Sequence, residues 1–266
     1  MRRPYLEHYV SPISMPEIRT IDIDRPWFWL AEGWRDFVAS PGLSLIYGIL
    51  AAAAFAILSL LFTFRGSWHW AIGLMPGFLF VGPLLAVGLY EISRRREGDL
   101  RSTFRDSLNG WRRNSFSTMS LGIVMVVMLL AWALNSYEMT ALFVANSGVM
   151  ARVFGGEIDL PTFLTSLTWP MVAAAVITGA VWLAIAYLLM AVSVPFAADH
   201  EDVDVITAMV VSFKAVRRNW RPMLLWAGLI LVFTGVGILP FYLGLIITFP
   251  LLGYATWHAY RDILGG

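Results

Sequence analysis

Residues 42–64 read GLSLIYGILAAAAFAILSLLFTF, an unbroken apolar run with no charged side chain. About 20 such residues in a helix match the hydrocarbon thickness of a bilayer. A helix also satisfies its own backbone hydrogen bonds where no water can do so. Working outward, comparable runs occupy Trp68–Tyr90, Phe116–Ser136, Met171–Ala198 and Met223–Tyr260. The last is too long for one crossing and contains Thr234-Gly235-Val236-Gly237-Ile238-Leu239-Pro240, whose Gly and Pro spacing reads as a turn. The expected fold is therefore an all-α membrane protein with six transmembrane helices, at about 42–64, 68–90, 116–136, 171–198, 223–238 and 241–260. Residues 1–40 form a tail and 41–266 the membrane domain.

Composition agrees. The chain is 58% hydrophobic and 14% charged, against roughly 45–50% and about 25% for soluble domains. Of 19 Lys and Arg, all but Arg65 and Arg152 fall on one side when six crossings are drawn. The excess of basic residues marks the cytoplasmic side, so both chain ends are expected there. No cleavable signal is visible, and the first crossing is expected to serve as an uncleaved insertion signal.

Ahead of that crossing, Trp27, Leu30, Ala31, Trp34 and Val38 recur on one helical face, with Asp24 as expected cap and Pro26 in the first turn. This predicts an interfacial helix over 25–39; a partner-docking helix is the other reading of the same face. In the connector 137–166, Ala141–Phe154 suits a surface or re-entrant helix, and Asp159-Leu160-Pro161 a fresh helix start.

The connectors 91–115 and 199–222 resemble each other. Asp99–Asn114 aligns without gaps on Asp204–Asn219, with Ser107 opposite Ser212 and Arg112-Arg113-Asn114 opposite Arg217-Arg218-Asn219. Each follows a run interrupted by proline, Pro83 or Pro195, and Pro250 repeats the pattern in the last run; all three are candidate helix kinks. Both connectors are expected to be amphipathic cytoplasmic helices, through Leu100, Phe104, Leu108 and Trp111 in one and Ile206, Met209, Phe213, Val216 and Trp220 in the other. Arg112, Arg113, Arg217 and Arg218 are the candidate contacts for lipid phosphate; carbonyl capping is the structural alternative.

Much chemistry is missing. There is no cysteine, so disulfides and thiolate catalysis are excluded. No expected crossing has a charge at its centre, which argues against a proton-coupled pump. His8, His69, His200 and His258 show no ligand spacing, and the acids around His200 suit a helix N-terminus better than a metal site. The expectation is no cofactor, no metal and no catalytic set. Net charge of +1 gives no reason to expect nucleic acid.

Gly33-Trp34-Arg35-Asp36-Phe37, Pro83-Leu84-Leu85 through Arg94, and Val194-Pro195 through Arg218-Asn219-Trp220 together resemble an uncharacterised bacterial family of predicted multi-span membrane proteins, filed as a domain of unknown function. The resemblance implies an inner-membrane helical fold and no established activity. Some relatives carry a label likening them to the catalytic subunit of cytochrome c oxidase, but the crossings lack the set of intramembrane histidines that haem–copper chemistry requires. The sequence reads as a non-enzymatic scaffold, assembly factor or accessory subunit, with membrane lipids and a membrane protein as partners. A transporter or lipid-handling protein with a site between parallel repeats is the alternative.

Overall fold

The structure, a computed structural model, describes residues 15–64, 77–145 and 169–265. The Asp159-Leu160-Pro161 start and residues 146–154 of the expected 141–154 helix lie outside these residues. The described residues form twelve helices: α1 Arg25–Ala39, α2 Pro41–Phe64, α3 Gly77–Leu85, α4 Val87–Glu97, α5 Phe104–Ser107, α6 Asn109–Arg113, α7 Ser115–Ala145, α8 Trp169–Met190, α9 Ser193–Asp199, α10 Val205–Arg218, α11 Trp220–Ile238 and α12 Leu245–Leu264.

Among the described residues, four stretches are long and apolar enough to cross a membrane: Pro41–Leu61, Ser115–Ser136, Trp169–Asp199 and Trp220–Ile238. The expected 68–90 crossing is described only from Gly77, breaks at Ala86, and continues as helix to Glu97, so Arg94, Arg95 and Arg96 belong to a helix and not to a loop. The expected 241–260 crossing begins at Leu245 and carries His258, Arg261 and Asp262 in its last turns. The helix expected over 141–154 is, as far as Ala145, a continuation of α7.

Helix α12 is the axis of the assembly. Its residues 248–255 are buried on every side, as in a helix that is apolar all round. It packs against α1, α2, α4, α9 and α11. Two glycines let backbones approach it. A Cβ on Gly33 of α1 would lie 2.8 Å from the Ala255 nitrogen, and one on Gly48 of α2 would lie 2.1 Å from the Ile246 carbonyl oxygen. That carbonyl is the one Pro250 cannot serve, because proline has no N–H for the carbonyl four residues earlier. Pro250 sits inside α12 without ending it.

The first helix packs with a different face from the one its hydrophobic pattern selects. Trp29, Leu30, Gly33, Asp36 and Phe37 are buried, while Trp27, Ala31, Trp34 and Val38 are exposed. Leu30 thus leaves the expected set. Asp24 precedes the helix but its side chain makes no capping bond. The connectors follow the same rule. Leu100, Phe104, Leu108, Ile206, Phe213 and Trp220 face outward, Trp111 and Met209 are half-buried and Val216 is buried, and the small or polar Ser107, Gly110, Ala208, Ser212 and Ala215 face inward. Small residues at contacts and large apolar ones outside is the membrane pattern, where lipid replaces water.

Proline breaks are handled individually. Pro83 lies inside α3, just before the interruption at Ala86. Near Pro195 the helix breaks at Ala191–Val192, and the Ser212 hydroxyl enters the gap. It accepts from the Val192 N–H at 3.2 Å and donates to the Leu188 carbonyl at 3.0 Å. Those two groups would otherwise bond each other in an unbroken ladder.

Candidate functional site

The chain path gathers one polar layer. Helices α2, α7 and α11 begin at the end of the bundle where α4, α9 and α12 finish, and α1 packs against α12 there. At its centre is Asp36 of α1, only 5% exposed. Its carboxylate accepts from the Ser93 hydroxyl and from Arg96 Nη1 (2.5 Å), and bonds His258 Nε2 (2.8 Å). One side chain therefore ties α1, α4 and α12.

Around it the other acids are matched as closely. Glu91, 3% exposed, accepts from Arg94 Nη2 and Nε at 2.6 and 2.8 Å. That bond raises the Arg94 pKa above its ordinary value, against burial, which lowers it. Glu97 accepts from Trp257 Nε1 at 2.8 Å and pairs with Arg261 at 3.2 Å. Arg261 also reaches Asp199 at 3.6 Å, and Asp199 accepts from the Tyr260 hydroxyl at 2.7 Å. Asp262 receives the Arg25 fork at 2.7 and 2.9 Å and Trp29 Nε1 at 2.9 Å. The Asp262 bond is the main reason that the Arg25 pKa is raised.

The four candidate phosphate contacts separate into two environments. Arg113 is half-buried and turned toward Glu91 at 3.8 Å, so it is engaged inside the protein. Arg112 is exposed. Arg217 and Arg218 are exposed and, with Ile18 and Lys214, line an open groove of about 400 Å³. A second groove, of about 620 Å³, runs between residues 39–43 and the end of α4, beside Arg96 and Arg101.

Asn114 and Asn219, aligned in the two connectors, are both buried and both clamp a neighbouring segment. Asn114 donates to the His200 and Val203 carbonyls at 2.9 and 2.8 Å. Asn219 donates to the Arg19 carbonyl at 2.9 Å and accepts from the Ile21 N–H at 3.0 Å. The helix starts differ: Asp204 caps α10 through the Thr207 N–H, whereas Thr103 and Asp106 form a capping box at α5 and Asp99 has φ of 54°. Of the acids near His200, Asp199 and Asp204 are thus engaged in a bond to Tyr260 and a helix cap.

Sequence reading missed Asp36, Glu91, Ser93, His258 and Asp262 as a group. The available signals were Glu91 three residues before Arg94, directly after an apolar run, and His258, Arg261 and Asp262 one turn apart at the end of another.

Residues 71–199 match the model of a family described as "Predicted integral membrane protein (DUF2189)". No curated protein and no solved structure matches. Over those residues the chain is similar to an uncharacterised family of multi-span integral membrane proteins, in agreement with its apolar helices.

Proposed function

We propose that the protein is a non-enzymatic scaffold, assembly factor or accessory subunit of a membrane complex, residing in the bacterial inner membrane with both ends cytoplasmic. One observation carries this reading: the buried acids and the cations near them are consumed by one another. Asp36 holds Arg96 and His258, and Glu91 holds Arg94. Catalytic or transport groups would instead converge on open space. The path of the chain and the distribution of basic residues favour six crossings. The matching clamps of Asn114 and Asn219 favour a duplicated span–helix–span unit.

A transporter is the second reading. The break at Ala191–Val192 supports it, since interrupted helices are common in transporters. The buried Leu84, Val194, Phe196 and Ala197 beside Pro83 and Pro195 speak for solid packing instead.

Purification in native nanodiscs, followed by mass spectrometry, tests the first reading. A membrane protein recovered in fixed stoichiometry is the expected result. A chain that reproducibly purifies alone, and supports solute flux in proteoliposomes, overturns it in favour of the second.

A further inference from the structure

We infer that the groove at the end of α10 is a headgroup site for one anionic phospholipid. This goes beyond the scaffold reading and does not depend on it.

The argument begins with how the cations are distributed. Arg25, Arg35, Arg94, Arg95, Arg96, Arg113 and Arg261 each have a carboxylate partner within 4 Å. Lys214, Arg217, Arg218 and Arg221 have none among the described residues. The polar side-chain contacts of Lys214 and Arg218 are to neutral groups, the Met15 sulfur at 3.3 Å and the Thr20 hydroxyl at 3.0 Å. Four cations gathered at the junction of α10 and α11 repel one another and gain by recruiting an anion.

The groove is built rather than incidental. Its outer wall is the segment before α1, which crosses α10 and is fastened by Asn219 and by the Arg19 N–H bond to the Ile263 carbonyl at 2.8 Å. The bond to Thr20 uses only Nε of the Arg218 guanidinium, one of five donors. Guanidinium forks match phosphate geometry.

A lipid is favoured over a soluble anion by what adjoins the groove. Phe213, near the end of α10, and Trp220 and Leu224, in the first turns of α11, are all exposed on either side of Arg217 and Arg218. Trp220 is also the first residue of a stretch apolar enough to cross a membrane. Arg217, Arg218 and Arg221 therefore sit within a turn of the point where chain enters lipid, at headgroup depth, with an aromatic side chain of the kind that favours this zone. A phosphate held there has its acyl chains beside the outward face of α11, where Leu224, Leu231 and Val232 are exposed.

The test is native mass spectrometry of the full chain in mixed phosphatidylglycerol and phosphatidylcholine. Wild type is expected to retain one phosphatidylglycerol under conditions that strip phosphatidylcholine. Arg217→Gln with Arg218→Gln should lower retention about fivefold per arginine, while Arg101→Gln with Arg105→Gln should not. Inorganic phosphate at millimolar concentration should leave the lipid in place. Retention in the first pair, equal loss in the second, or displacement by phosphate alone each overturns the assignment. Should the glutamine pair not fold, quenching in the wild type decides. Brominated phosphatidylglycerol must quench more tryptophan emission than brominated phosphatidylcholine, and Trp220→Phe must remove the difference; equal quenching by the two lipids sinks the proposal.

Discussion

His258 Nε2 lies 2.8 Å from Asp36 Oδ2, joining side chains 222 residues apart in sequence. The same carboxylate oxygen accepts the Ser93 hydroxyl, and its twin accepts Arg96. Asp36→Ala should therefore strand several donors at once. The expected loss is about 2–3 kcal/mol, tempered by the partial exposure of Arg96. Surviving monodisperse protein after stepwise heating reads it out. In a double-mutant cycle, Asp36→Ala and His258→Ala should couple by more than about 0.5 kcal/mol; additive losses would show that the bond contributes nothing.

The Glu91–Arg94 pair predicts an asymmetry. The Glu91 side chain is 2% exposed and that of Arg94 is 28% exposed. Arg94→Ala leaves a buried carboxylate with only Arg113, at 3.8 Å, to face it. Glu91→Gln leaves a guanidinium that can turn toward water. The arginine variant should be the less stable of the two, by about 1 kcal/mol or more. The same heating assay shows the order, and the reverse order contradicts the burial argument.

Gly48 should not tolerate a methyl group. Its Cβ would meet the Ile246 carbonyl at 2.1 Å, whereas a Cβ on Gly179 meets nothing within 4 Å. Gly48→Ala is expected to cost about 1–3 kcal/mol through displaced backbone. Gly179→Ala should be neutral or stabilising by up to about 1 kcal/mol, since alanine is the better helix former. Melting of the two variants side by side checks this.

Ser212→Ala should reopen the ladder gap at Val192 and cost about 1–3 kcal/mol for an unpaired buried N–H. Pro195→Ala supplies an N–H for the Ala191 carbonyl, four residues earlier, and so lets the helix straighten through the break. In the Ser212→Ala background it should recover part of the loss, although alone it gains little. Amide exchange at Val192 is the readout, and no recovery in the double variant would detach the break from the proline.

The Asp204 carboxylate accepts from the Thr207 hydroxyl at 2.5 Å and from its N–H at 2.9 Å, and these bonds lower its pKa. A depressed carboxylate adds stability above its unfolded pKa, about 4, and loses it as pH falls through the lower folded value. Wild-type α10 should therefore fray on acidification below about pH 4. Asp204→Asn should flatten that dependence, and Asp204→Ala should cost about 1 kcal/mol at neutral pH. Exchange of the first-turn amides, corrected for intrinsic rate, measures both.

Helix type and the apolar stretches were legible because hydrocarbon imposes a length and composition that survive in any packing. Packing faces were not. Trp27, Trp34 and Val38 give α1 its apparent hydrophobic stripe, yet Trp29, Gly33 and Asp36 meet α12. In lipid, amphipathic pattern marks the boundary with the solvent and small residues mark the contacts. The ionic layer stayed hidden for a related reason: Asp36, Glu91 and His258 each look like ordinary polar residues near a helix end, and only the tertiary path brings them together. Arg113 shows the limit of motif alignment. It matches Arg218 in sequence, but a nearby Glu91 claims it.

The central placement of α12 also sets a schedule. Asp36 leaves the ribosome 222 residues before the His258 that completes its bonds. At 5–20 residues per second that interval is about ten seconds or longer. Until then, the face of α1 formed by Trp29, Gly33 and Asp36 lacks its seat on α12. Arrival of the last helix is the event that completes the burial of that face.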